Sequence, residues 1–181
     1  MSETSLAFPS PVGELLLTAS DRALRAVHFP NSPMVSVSVI WSSPAVPLPL
    51  PLSAGRSGGT AEEILERTCA QLAEYFAGTR TTFDLPLDPP PPGTAFERRV
   101  WDALRAIPYG TTVSYGELAR RLGDGRATRA VGAANGKNPI PIIVPCHRVV
   151  GSRGELTGFG GGLERKRWLL EHEGALMRLG R

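Results

Sequence analysis

Four consecutive prolines, Pro89 to Pro92, followed by Gly93, constrain this chain more than any other feature. Each proline fixes its own φ, lacks an N–H and drives the residue before it away from helical angles. Neither a helix nor a sheet ladder crosses such a run, so the chain is expected to fold as two units joined by a stiff linker. We place the N-terminal unit at 1–88, the linker at 89–94 and the C-terminal unit at 95–181. With 181 residues and 41% hydrophobic content, the chain carries enough apolar side chain for both units to bury a core. The same cut separates charge. From Ala95 onward there are 15 Lys+Arg against 8 Asp+Glu, and before it 5 against 9. The basic half suits a polyanionic partner, since phosphate contacts supply most non-specific affinity for nucleic acid, although a solvated surface shows similar asymmetry.

Met1 to Ser20 has neither a basic leader nor a long apolar segment, so no signal peptide is expected, and no stretch is apolar enough to span a bilayer. Two cysteines, Cys69 and Cys146, do not make a disulfide framework and fit a reducing cytoplasm, which is the expected location. No two of Cys69, Cys146, His28, His147 and His172 show the paired spacing of a structural zinc site, so neither a metal nor a cofactor is expected.

Residues 5–29 alternate and turn like a hairpin at Pro11-Val12-Gly13, and Met34 to Trp41 reads as a third strand. The segment 43–59 has prolines at 44, 47, 49 and 51, cannot donate a full hydrogen-bond ladder, and reads as an extended loop. Thr60 with Glu63 forms a capping box, opening a helix with Leu65, Cys69, Leu72 and Phe76 on one face. Cys69 thereby falls in a core stripe, where burial makes a thiol inert. Thr82 to Leu87 reads as a short strand.

Beyond the linker, Phe96, Val100, Leu104 and Ile107 repeat at helical spacing, which predicts a helix over Ala95–Ile107, ended by Pro108-Tyr109-Gly110. Ser114 caps a short helix reaching Leu122, Gly123-Asp124-Gly125 turns, and Ala127–Asn135 forms the next helix. Helix, tight turn, helix is the helix-turn-helix outline, which many helical hairpins share without touching DNA. In the second helix Ala127, Ala130, Gly132, Ala133 and Ala134 are small and Arg129 is the one long charged side chain. Such a helix is built for close approach, either to another helix or to a partner.

Asn138-Pro139 starts a turn, Ile140 to Val144 resembles a buried strand interrupted by Pro141, and Pro145-Cys146-His147-Arg148-Val149 comes next. A reactive cysteine works as its thiolate, and a nearby imidazole takes the proton directly or through water. Neighbours on a regular strand point to opposite faces, so cooperation demands a sharp turn at Pro145-Cys146. It also demands a third group, usually a carboxylate, to hold the ring's tautomer. Adjacent Cys and His also arise by chance, so the pair alone leaves both readings open. Gly158 to Gly162 permits close backbone approach to a flat ligand, or serves only as the loop before a helix, Leu163–Glu173, capped by Gly174.

Taken in order, these segments resemble the O6-methylguanine-DNA methyltransferases. The resemblance runs from about Thr94 to Gly174 and rests on Phe96-Glu-Arg-Arg-Val-Trp101, Ile107-Pro-Tyr-Gly110, Ser114-Tyr115, Arg129-Ala-Val-Gly132, Asn138-Pro139, Pro145-Cys-His-Arg-Val149, a Gly-aromatic-x-Gly-Gly stretch and His172-Glu173-Gly174. It implies direct-reversal repair, in which an alkyl group leaves O6 of guanine, and O4 of thymine as a second substrate, for the protein's own cysteine in one irreversible turnover. By that resemblance Cys146 is the acceptor, His147 its general base through a bridging water, Glu173 the carboxylate orienting His147, and Asn138 the hinge of the tight turn. Tyr115 would donate to N3 of guanine. Arg129 would fill the stack after the nucleotide is rotated out, with Ala127, Thr128, Ala130 and Gly132 along the minor groove. Tyr115, Val149, Phe159 and Gly160 would line the base pocket, the backbone of Cys146 and Val149 meeting the exocyclic amine and that of Gly160 the O6 atom. Phe159 stands where the family usually has tyrosine.

The implied fold class is α/β: a small N-terminal α/β domain, ribonuclease-H-like with a sheet and a helix, then a mainly helical, winged-helix-like C-terminal domain with the helix-turn-helix. The implied partner is double-stranded DNA carrying O6-alkylguanine, bound by a monomer, with cooperativity along DNA left open and no membrane involved. Three rivals stand beside it. An alkyltransferase-like flagging module would replace the cysteine, which Cys146 opposes. A promoter reader would need more base-reading side chains than Arg129. A cysteine hydrolase would turn over and show burst kinetics with acyl substrates.

Overall fold

A computed structural model describes residues 3–30, 60–88 and 93–176. The chain divides into two compact units, Met1–Pro89 and Pro90–Arg181.

In the first unit, β1 (Glu3–Phe8), β2 (Leu15–Ser20) and β3 (Leu24–His28) form an antiparallel meander in sequence order. The segment read as a hairpin thus holds three strands. Alternation in β2 turns Leu15, Leu17 and Ala19 inward and leaves Leu16 exposed. Helix α1 (Ala61–Phe76) packs on the sheet and opens with the expected capping box, in which Thr60 and Glu63 each satisfy the other's backbone N–H. Leu65, Cys69, Leu72 and Phe76 are all buried, and burial pushes the Cys69 thiol up to about 11. Thr82–Leu87 departs from the expected strand. Only Leu87 bridges, in parallel, to Leu24, because Pro86 has a carbonyl to offer Leu24 N–H but no N–H of its own. Met34–Trp41 and the proline-rich segment 43–59 lie outside the described residues.

The second unit opens with α2 (Ala95–Arg105), capped by a second capping box between Thr94 and Glu97. The helix stops short of Ile107 because Pro108 disfavours helical angles at the residue before it. Its inner face is Val100, Trp101 and Leu104, with Phe96 only partly buried, and the Trp101 indole N–H donates to the Ala134 carbonyl at 2.9 Å. That bond ties α2 to the helix-turn-helix pair α3 (Tyr115–Arg121) and α4 (Thr128–Gly136). The Ser114 hydroxyl caps α3 by accepting from Glu117 N–H. Strand β4 (Val113–Ser114) runs parallel to β5 (Val149–Val150), and α5 (Leu163–His172) ends with Gly174 at φ +68. Ile140–Val144 is a turn rather than a strand, with Val144 N–H bonded to the Ile140 carbonyl at 2.9 Å and Pro141 paired only with Val144. None of the described helices is long and apolar enough to cross a membrane.

Candidate active site

The turn before Cys146 is held by one side chain. Asn138 Oδ1 accepts from Ile140 N–H at 3.1 Å and Nδ2 donates to the Val144 carbonyl at 2.7 Å, pinning both ends of the loop. Ile142 sits at φ +74, a region a β-branched residue enters only when its surroundings impose it. The chain then winds into a single 3₁₀ turn, Cys146–Arg148, which supplies the break in strand alternation that a Cys–His partnership requires. Cys146 and His147 are both buried.

One carboxylate organises the centre. Glu173, at the end of α5, meets His147 Nε2 at 2.9 Å through Oε1. Arg148 donates to the same carboxylate from Nε at 2.8 Å and Nη2 at 3.0 Å, and the Gly110 N–H reaches Oε2 at 3.1 Å. Arg148 Nη1 also donates to the Ile107 carbonyl at 2.6 Å. Burial pushes the Glu173 carboxyl up, but the bonds and charges of His147 and Arg148 outweigh it and hold the group ionised, far below the usual carboxylate range. Burial pushes His147 down, and the Arg148 charge adds to this, against the opposing pull of Glu173. The ring is therefore neutral. A carboxylate can only accept, so Nε2 carries the proton, and Nδ1, which has no hydrogen-bond partner among the described residues, keeps the free lone pair. Burial pushes the Cys146 thiol up to about 11, a rise moderated by the Asn138 amide and the Lys166 charge. A thiol so placed is protonated at neutral pH and needs a base.

Tyr115 donates from its hydroxyl to the carbonyls of Thr157 and Gly158, at 3.1 and 3.2 Å. Burial raises its pKa, so it stays a proton donor. Phe159 is half-buried with its ring edge-on to His147, the centroids 6.5 Å apart. A side chain on exposed Gly160 would approach the Gly136 carbonyl at 3.7 Å, so the glycine loop runs against the end of α4. Helix α4 has two faces. Arg129, Ala130 and Ala133 are exposed and Ala127 and Thr128 half-buried, whereas Val131, Ala134 and Asn135 are buried. Gly132 faces the Tyr115 ring, which a Cβ would meet at 3.9 Å. Val149 is buried and its carbonyl already accepts from Lys166.

Three residues at this centre carried no assigned role in the sequence. Lys166 is fully buried and donates from Nζ to the carbonyls of Val149 and Thr157, both at 2.5 Å, with the Tyr115 ring centroid 5.8 Å away. Burial lowers its pKa to about 8. Within Glu164-Arg165-Lys166-Arg167 it looked like one more solvated charge; the inward signal was its spacing of three and four residues from Leu169 and Leu170. Arg148 stood inside the cysteine motif, and Asn135 among small residues. Their environments arise only on folding.

A buried thiol beside a neutral imidazole, in the same unit as a helix that exposes an arginine among small residues, defines a cysteine group-transfer protein with a DNA-binding helix-turn-helix. Comparison with known proteins identifies the group transferred. Residues 95–175 match the 6-O-methylguanine DNA methyltransferase DNA-binding domain, and residues 5–89 the ribonuclease-like domain of the same proteins. A methylated-DNA–protein-cysteine methyltransferase of Methanosarcina acetivorans is 41% identical over 169 residues, 93% of this chain and 96% of the relative. One from Mycobacterium tuberculosis is 62% identical over 103 residues, 57% of this chain and 61% of its own length. The crystal structure of the M. tuberculosis O6-methylguanine methyltransferase superposes with a TM-score of 0.73 at 41% identity, covering 96% of this chain and 94% of that one. The M. tuberculosis OGT complex with DNA gives 0.72 at 40%, covering 97% and 98%. The chain belongs to the 6-O-methylguanine DNA methyltransferase family, and its activity is DNA repair by alkyl transfer from DNA to a protein cysteine.

Proposed function

We propose that this protein removes the alkyl group from O6-alkylguanine in duplex DNA, with Cys146 as acceptor, and that residues 95–181 carry both the chemistry and the DNA contacts. The observation that carries this is the buried array Cys146, His147, Glu173 and Arg148, in which the imidazole next in sequence to the thiol is kept neutral. The lesion carbon is out of reach in a stacked duplex, so the nucleotide rotates out at a cost of a few kcal/mol. Arg129 fills the gap, while Ala127, Thr128 and Ala130 let α4 approach the minor groove. Tyr115 exchanges its carbonyl partners for the base's N3. His147 Nδ1 takes the thiol proton through a bridging water, and the imidazolium that forms lies against Glu173. The thiolate attacks the alkyl carbon, the S–C bond forms as the C–O6 bond breaks, and the departing guanine is neutralised by the Tyr115 proton. The thioether has no easy hydrolysis, so each protein acts once. Asn138 keeps the reactive turn in place throughout, and Val149, Phe159 and Gly160 frame the base.

All these groups lie in one chain, which supports a monomer, and a thiol acceptor is preserved in the reducing cytoplasm. O4-alkylthymine fits as the slower substrate. The test is intact mass and peptide mapping after mixing with a duplex bearing one O6-methylguanine. One added methylene on Cys146, saturating at one per protein, is expected, and Cys146→Ala abolishes it while still binding DNA. Transfer that survives in Cys146→Ala overturns the assignment, and tight lesion binding with no mass gain points to a flagging module.

A further inference from the structure

Asn135 lies on the buried side of α4, six residues beyond Arg129, and is 2% exposed. Its Nδ2 donates to the Cys146 carbonyl over a long 3.4 Å. That carbonyl fixes the amide's orientation, since only the NH₂ end can donate to it. Oδ1 is therefore at the other end of the amide, and it has no hydrogen-bond partner among the described residues. Buried acceptors without donors are costly and uncommon in folded proteins. The Cys146 carbonyl also accepts from the Val149 N–H, which fills its second lone pair, so the Asn135 oxygen is an acceptor left without a donor beside the reactive residue. We propose that Asn135 is a specificity-determining residue whose amide oxygen, beside the Cys146 carbonyl, selects a purine bearing an exocyclic amine.

The chemistry of the lesion supplies the match. Alkylation at O6 removes the proton from N1 of guanine, so the exocyclic amine is the only N–H donor left on the base, and it has two protons. O6-alkylhypoxanthine lacks that amine and O4-alkylthymine has no ring N–H, so either base faces the Asn135 oxygen with nothing to donate. The partner group for the neighbouring ring nitrogen is close by: Tyr115 packs on Gly132, one turn earlier in α4, and its hydroxyl senses the Asn135 amide. A donor for N3, from the start of α3, and an acceptor for the adjacent amine, from α4, thus lie close together. Sites built to hydrogen-bond an N–H discriminate against analogues without it far more strongly than apolar pockets discriminate by size.

This inference rests on the O6-alkylguanine activity proposed above, and its test separates the two. Single-turnover transfer is measured on duplexes that differ only in O6-methylguanine, O6-methylhypoxanthine or O4-methylthymine, for the wild type, Asn135→Leu and Asn135→Ala. Each ratio is taken within one preparation, after titrating active protein by burst amplitude, so partial unfolding does not alter it. The wild type is expected to prefer guanine over hypoxanthine by about tenfold or more, and both variants to bring that preference to within about threefold. Asn135→Leu also removes a buried unpartnered oxygen, so its Tm is expected to stay level or rise. Variants that keep the full guanine preference, or that slow all three substrates equally, overturn the role of Asn135 while leaving Cys146 chemistry intact. Absence of transfer by the wild type from O6-methylguanine overturns the underlying activity instead.

Discussion

Replacing Arg148 with methionine tests why the imidazole at this centre is neutral. Arg148 Nη2 and His147 Nε2 share Glu173 Oε1 at 3.0 and 2.9 Å, so the two nitrogens are at most about 5.9 Å apart. At an effective dielectric constant of about 20, a guanidinium at that distance disfavours an imidazolium by roughly 2.8 kcal/mol. At 1.36 kcal/mol per pKa unit this corresponds to about two units. In Arg148→Met the Glu173 charge would act on His147 against burial and the Lys166 charge alone, and the ring's pKa would rise by about that amount. A ring already protonated cannot accept the Cys146 proton, so the acid limb of single-turnover methyl transfer is expected to move up by about two pH units. Loss of one partner from a buried ion pair also destabilises by about 3–5 kcal/mol, so the profile is best recorded at low temperature with active protein titrated. A variant that transfers more slowly at every pH, with the midpoint unmoved, would refute the charge argument and leave Arg148 a purely structural brace.

Three further outcomes are expected from the same geometry. Gly110 has φ +70, and a Cβ there would lie 2.8 Å from the Glu173 backbone oxygen, so Gly110→Ala is expected to destabilise by about 2 kcal/mol or more and to slow transfer; an unchanged urea midpoint would contradict this. Arg129→Ala is expected to cut transfer from duplex DNA by about tenfold but to spare single-stranded substrate, whose base needs no extrusion; equal losses on both would assign Arg129 to phosphate binding alone. His147 and Glu173 both have pKa values below those of the unfolded chain, so both withdraw stability as pH falls. Loss is expected to begin below the ordinary histidine value of 6.5 and to deepen below the ordinary carboxylate value of 4.5, as read by hydrogen exchange in α5 between pH 8 and 4. Protection that stays level from pH 7 to 5 would place the imidazolium in the folded state.

Local rules read from the sequence found what depends on near neighbours. Thr60 and Glu63 form the expected capping box, Leu65, Cys69, Leu72 and Phe76 form the buried stripe of α1, and Ser114 caps α3. The order of motifs from Phe96 to Gly174 was enough to indicate the family, because the cysteine, its imidazole and its carboxylate are each tied to a recognisable local pattern. Where proline intervenes, local pattern misled: Thr82–Leu87 and Ile140–Val144 have the apolar character of strands, but Pro86 and Pro141 remove the donors a ladder needs, leaving isolated bridges. Charge and polarity misled for a different reason. Lys166 and Arg148 have the composition of surface residues, yet one is fully buried against two carbonyls and the other is paired with Glu173, 25 residues away. Asn135 is buried at Cys146 in the same way. Sequence by itself determined the family and the order of its motifs; tertiary structure alone decided the protonation of the residues in them. The sign and size of a pKa shift depend on burial and on charges a few ångströms away in space, and those distances exist only once α4, the Cys146 turn and α5 have packed together.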